Sequence, residues 1–243
     1  TGGINAIDFL TLNATNGIIL EDSLTATGVV NIDSDTDNNG TGDFNLSSGS
    51  LLTGNNALTI TANDLALSGI LNSGVGSTSI TASDSGSLGI GVSSGFGMNI
   101  STGEQSNIQG SGDLILGAQS ITISAANTLS HSGKLTLGQS GGTITGQGDL
   151  TLSAAKGLII NSDTISASGD LNLEGDSNNS ADSDDSISLA SGSTFTSSAG
   201  SITLDATTGG ISVAGAVTLN ASEGISINDQ FASAGITTFD ADT

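Results

Sequence analysis

Three stretches of the chain read as one line: FLTLNATNGIILEDSLTATG (9–28), DLTLSAAKGLIINSDTISASG (149–169) and VTLNASEGISINDQFASAG (217–235). The common rule is L-T-L-x-A-x-x-G-I-x-I, then about five residues, an apolar position and a closing Gly. Leu10, Ala14, Gly17 and Leu20 match Leu150, Ala154, Gly157 and Ile160, which match Val217, Ala221, Gly224 and Ile227. Shorter versions stand at ITISAANTLSHSG (121–133) and SITLDATTGGISVAG (201–215). Period-two alternation broken by Gly, Asn and Ser spells short strands and turns, not helix. A unit of about 20 residues repeated along a chain is the mark of a solenoid.

The recurrence predicts equivalent strands stacked one above another in parallel sheets, because I′-type hairpin signals are too few to pair consecutive strands. The expected fold class is all-β, a right-handed parallel β-helix of about 12 coils of roughly 20 residues. One shaft would cover 1–243, interrupted by acidic excursions at 33–44 and 174–186. Leu150 and Leu152 should point inward and Thr151 outward. Apolar residues are mostly Ile, Leu, Val and Ala with six Phe, so the core must be narrow; Met98 and the Phe side chains are expected to fill it. Disorder, the competing reading of a Gly/Ser/Asn-rich acidic chain, needs depleted apolar residues. Here they recur in register.

Charge excludes several functions. The chain holds 24 Asp and Glu against two Lys and no Arg, a formal net charge of −22. No basic stripe for nucleic acid can be built from that set, and anionic membrane surfaces are disfavoured. No run of 18 apolar residues exists to span a membrane, and with no Cys there is neither a disulfide scaffold nor a thiolate metal site. The first residue is Thr1 with no signal-like segment, which reads as a processed product or a piece of something longer.

The G-D-L-x-L-x-A line (Gly148–Ala154, and Gly169–Leu173), L-T-L-N-A at 10–14 with VTLNA at 217–221, and MNISTGEQSNIQGSGDLILG (98–117) resemble the repeats of filamentous-haemagglutinin-type exoproteins, the large adhesins of bacterial two-partner secretion. The resemblance covers essentially the whole chain. It implies a right-handed β-helix, secretion through an outer-membrane pore, an extracellular or cell-surface location, and an adhesive or structural role. The family's amino-terminal secretion domain is not in this sequence, so the stretch would be internal to a shaft, or a shaft that has been cut free. No binding residue carries over.

Chemistry is sparse. Asp35-x-Asp37-x-Asn39-Gly40-x-x-Asp43 places oxygen ligands at positions one, three, five and nine, with Gly at six, as at the start of an EF-hand-type calcium loop. Leu46 stands where the bidentate Glu belongs. A solvated acidic loop is the plain alternative. Asp176, Asp182, Asp184 and Asp185 form a second acidic cluster without recognised spacing. A polysaccharide-degrading enzyme would need paired acids in a cleft and groups to stack or stabilise a sugar, and the chain has almost no aromatics and no Arg. It is therefore read as no enzyme. His131 reads as an exposed turn residue, and Lys134 and Lys156 as solvated. Thr11, Thr59, Thr122, Thr136, Thr151, Thr203 and Thr218 face outward on their strands, most simply as β-propensity and cross-strand hydroxyl pairing.

These observations predict a stiff extracellular shaft of an adhesin or surface fibre, with no polar cap at either end and so able to pair end to end. The alternative is a ligand-binding module that recognises a glycan or a host protein through the excursions.

Overall fold

The computed structural model describes residues 3–92, 94–125, 127–180 and 184–242. The protein is all-β with long parallel sheets. It divides into two compact units, Thr1–Ala118 and Gln119–Thr243.

In the first unit the chain gives one strand in turn to each of three sheets. Leu10–Asn13, Val30–Asp33, Leu58–Ala62, Thr78–Ala82 and Leu114–Gly117 pair in that order, all parallel. Ile4–Ala6, Leu24–Ala26, Ser50–Leu52, Ile70–Asn72 and Ile108–Gln109 form a second series. Ile18–Leu20, Phe44–Leu46 and Leu65–Leu67 form a third. Within these three series each strand therefore pairs with one a full pass away, not with its sequence neighbour. Leu12, Ile32, Ile60, Ile80 and Leu116 stack in one inward column.

The second unit repeats the plan. Leu150–Ala154 pairs with Leu171–Glu174, which pairs with Ser201–Asp205 and then Gly224–Ile227. Leu150, Leu171 and Ile202 are fully buried, as are Leu152 and Leu204, while Thr151, Asn172 and Thr203 face out between them. Alternation thus turns directly into columns, each buried Leu or Ile contributing roughly 1.5–3 kcal/mol by leaving water. The outward Thr are not a continuous ladder: Asn31 separates Thr11 from Thr59, and Asn172 separates Thr151 from Thr203.

Partners are 20 residues apart where the repeat is undisturbed, as Leu10 and Val30 are. The distance grows to 28 across the first excursion (Val30 to Leu58) and to 31 across the second (Leu171 to Ile202). A further departure follows Thr78–Ala82. The chain forms Ser87–Ile90 and then Met98–Ile100, which pair in parallel only ten residues apart (Leu88 with Met98), before the helix Thr102–Asn107. With these interruptions, the longest series holds five described strands in the first unit and six in the second.

Two sequence expectations need correction. Only Phe44 and Phe195 of the six Phe are fully buried, and Phe9 and Phe239 are 70% and 50% exposed. The L-T-L-x-A-x-x-G line does not mark a fixed place in the repeat. In the second unit 150–160 leads from the Leu150 series to Leu158–Ile160, whereas 217–227 leads from Val217–Ala221 into the Leu150 series. The motif encodes a corner. Its Ala tucks inward and its Gly permits the turn, with φ of 110° at Gly157 and 98° at Gly17.

Candidate functional site

The two acidic excursions leave their sheets in the same way. Asp35 and Asp176 each follow a strand, are 0% exposed, and precede by three residues an Asn in the left-handed region, Asn38 (φ 50°) and Asn179 (φ 51°). The Thr36 N–H donates to Ala14 O at 3.0 Å, and the Ser177 N–H donates to Ala154 O at 3.0 Å. Gly17 N donates to Ser34 O (3.0 Å), and Gly157 N to Gly175 O (2.9 Å). On the return, Ile18 N donates to Asp43 O and Leu158 N to Ser186 O, both at 2.9 Å. Each excursion is thus bonded over an Ala-x-x-Gly corner of the preceding repeat. The shared order Asp-(Ser/Thr)-(Asp/Asn)-Asn, at 35–38 and 176–179, is the sequence signal for this likeness.

Within the first excursion Asp35 turns its carboxylate inward. Oδ1 accepts from Asn39 N at 3.2 Å, and Oδ2 accepts from Gly40 N at 3.2 Å and Ser83 Oγ at 2.6 Å. Burial pushes this carboxyl up, but the hydrogen bonds from Ser83, Gly40 and Asn39 together outweigh it and hold Asp35 below the ordinary carboxylate range. Asp37 and Asn39 are exposed and bonded to each other, Asn39 Nδ2 donating to Asp37 Oδ2 at 2.9 Å. Asp43 faces elsewhere, its Oδ1 accepting from Asn63 Nδ2 at 2.9 Å. Each calcium-loop candidate therefore has a hydrogen-bonding task of its own.

In the second excursion Asp176 and Asp185 are both 0% exposed. Thr208 Oγ1 lies 3.2 Å from Asp176 Oδ2 and 3.3 Å from Asp185 Oδ2. Asp184 instead points outward, 3.7 Å from Lys134 Nζ. Asp182 lies outside the described residues. Among the described residues, no three His, Cys, Asp or Glu side chains gather as a metal cluster. Lys134 is half-buried in its ion pair, and Lys156 is exposed. His131 ends the strand Thr128–His131, not a turn, because its register continues that of Ala154.

A cleft of about 670 Å³ lies in the first unit between Leu65–Leu67 and the helix Thr102–Asn107. Sequence reasoning missed it because both walls come from the irregular segment and a strand it folds back on. Asp64 and Glu104 line it, the paired acids an enzyme reading asks for. Both are committed to backbone. Asp64 Oδ1 accepts from Leu65 N (2.8 Å) and Asn99 N (2.7 Å). Glu104 Oε1 accepts from Leu67 N at 3.0 Å, and Oε2 from Ser101 N and Oγ at 2.9 and 2.7 Å. Asn107 Nδ2 donates to Leu67 O at 2.8 Å. Glu104 and Asn107 thereby satisfy the edge of Leu65–Leu67 as a neighbouring strand would. Burial raises the Asp64 carboxyl, against the hydrogen bonds of Asn99 and Leu65. Among the described residues, no aromatic ring lines the cleft.

No helix among the described residues is long and apolar enough to cross a membrane. No protein-family model, no curated protein and no solved structure matches the chain.

Proposed function

We propose that this chain is a right-handed parallel β-helix serving as the shaft of a secreted bacterial adhesin or surface fibre. The observation that carries the reading is the pairing rule: within each unit, strands join partners one full pass away, in parallel, with inward columns of Leu and Ile. Such a chain gains stability from each repeat added and presents a long polar flank. A net charge of −22 keeps those flanks from sticking sideways. The likeness to filamentous-haemagglutinin-type repeats supports placement outside the cell. Head-to-tail pairing of copies into filaments belongs to the same reading.

Electron microscopy of the whole chain at high concentration tests this reading. Thin rods, or filaments built of them, are expected, with fibre diffraction giving an axial repeat of about 4.8 Å. Round particles without that repeat would overturn it.

A second reading, recognition of a glycan or host protein by the excursions, is favoured by the hydrogen-bonded polar crown of Asp37, Asn39 and Thr41. Removing 36–42 and 177–184 would leave rods intact and abolish binding to a glycan array or host-cell surface.

A further inference from the structure

We infer that Asp176, Asp185 and Thr208 form a binding site for one divalent cation beneath the second excursion. The argument starts from the unequal fates of two equivalent carboxylates. Asp35 and Asp176 hold the same place in their loops, and both are fully buried. Asp35 has protein donors on both oxygens: two backbone N–H groups and the Ser83 hydroxyl. Asp176 has one donor candidate, Thr208 Oγ1, on Oδ2, and its Oδ1, buried from solvent, has no hydrogen-bond partner.

A second buried carboxylate, Asp185, lies against the same hydroxyl. Thr208 Oγ1 lies within hydrogen-bond reach of both Asp176 Oδ2 and Asp185 Oδ2, yet a hydroxyl has one proton to donate. One of those two contacts therefore sets oxygen lone pairs against each other. A carboxylate oxygen taken out of water without a donor, as Asp176 Oδ1 is, destabilises the fold. Lys134 is taken by Asp184 on the outer surface, 3.7 Å away.

A divalent cation reverses each of these terms. Two carboxylates and a hydroxyl offer the hard oxygens that calcium prefers, with water and backbone carbonyls completing its shell of about six to eight. Thr208 oxygen then acts as a ligand through its lone pairs, which explains a hydroxyl placed against two acceptors. Thr208 itself is exposed, so the pair lies one side chain beneath the surface and is reachable. The site differs from the EF-hand-like pattern in the first excursion, whose Asp35 is already satisfied from within.

Calorimetric titration of the metal-free whole chain with calcium chloride in about 0.15 M salt tests the proposal, the salt suppressing diffuse binding to the acidic surface. One saturable site per chain is expected, together with a melting temperature several degrees higher in calcium than in EDTA. D176N and D185N should each weaken that site at least tenfold, whereas D37N, in the other excursion, should leave it unchanged. T208V keeps both carboxylates and should weaken binding several-fold; it decides the matter if the Asn variants lose their β-sheet circular dichroism. Absence of a saturable site in the wild type would overturn the proposal. So would binding that survives T208V and both Asn variants, or a melting temperature that rises on acidification without responding to calcium, the mark of a shared proton. Each readout is independent of whether the chain forms a shaft.

Discussion

Ser83 Oγ donates a 2.6 Å hydrogen bond to Asp35 Oδ2 across 48 residues of sequence. The strand before Ser83, Thr78–Ala82, pairs with Leu58–Ala62, which pairs with the Val30–Asp33 strand that leads to Asp35. One buried carboxylate therefore ties an excursion to a repeat two passes away. Asp35→Asn keeps the shape but removes the charge from three hydrogen bonds, and should cost about 2–3 kcal/mol; Ser83→Ala should cost about 1.5–2 kcal/mol. Chemical denaturation followed by circular dichroism gives both values, since the chain has no Trp or Tyr to report by fluorescence.

The same carboxylate sets a pH dependence. Asp35 is held below its ordinary range when folded, so its contribution is complete above the unfolded value of about 3.9 and is lost as pH falls through the lower folded value. Asp170, held down by the backbone and side chain of Ser201, acts in the same direction. Asp64, raised by burial, acts in the opposite one: its folded form takes up a proton first. The stability gap between wild type and Asp35→Asn should therefore be constant from about pH 5 to 7 and shrink below pH 4. A gap that does not change between pH 6 and pH 3 would remove Asp35 from the balance.

Gly157 and Gly192 separate two penalties that a glycine substitution can carry. Both have positive φ, 110° and 81°. A Cβ at Gly157 would stand 2.3 Å from Asp184 O, while one at Gly192 would meet nothing within 4 Å. Gly192→Ala should cost about 1–2 kcal/mol, the strain of a left-handed L-residue alone. Gly157→Ala adds a clash with backbone and should cost at least about 3 kcal/mol, or displace the excursion. Equal losses in the two variants, measured by urea denaturation, would show that the corner yields freely.

How far the sequence discloses the fold depends on whether a signal is local. Alternation in LTLSA (150–154) gives the strand and its buried face, since side-chain direction along a strand depends only on parity. The interruptions at 33–44 and 174–186 are legible because they break that parity. The register is harder: the same L-T-L-x-A-x-x-G line turns different corners at 150–160 and 217–227, because Ala and Gly answer to local backbone demands and not to position in the repeat. The candidate sites are harder still. Ser83 reaches Asp35, and Thr208 reaches Asp176 and Asp185, from other repeats, so no motif holds them together. The Asp64–Glu104 cleft depends on Met98–Ile100 folding back beside Ser87–Ile90, which no period announces.

Phe195 sits between Ile165 and Leu219 in neighbouring strands and is fully buried. Its two neighbours in the column are aliphatic, so truncation leaves a void that backbone-paired strands cannot close. Phe195→Ala should cost about 3–5 kcal/mol. Phe239, 50% exposed, should lose less than about 1.5 kcal/mol on the same change. Thermal unfolding of the two variants beside wild type checks the contrast.

Glu104 shows how an irregular segment is held to a regular one. It closes a capping box with Ser101 at the start of the helix Thr102–Asn107 and, with its other oxygen, accepts the Leu67 N–H. Removing it orphans a backbone donor at a strand edge and loosens the helix at once, while the columns built on Leu58–Ala62 and Thr78–Ala82 do not touch it. Glu104→Ala should therefore act locally, at about 1–3 kcal/mol. Hydrogen exchange at the Leu67 amide should accelerate at least tenfold, with amides of Ile60 and Ile80 unchanged. Glu104→Gln retains an acceptor for Leu67 and should restore most of the protection. Uniform acceleration across all three amides would mean that the helix is a keystone of the first unit and not a side-chain cover on one strand edge.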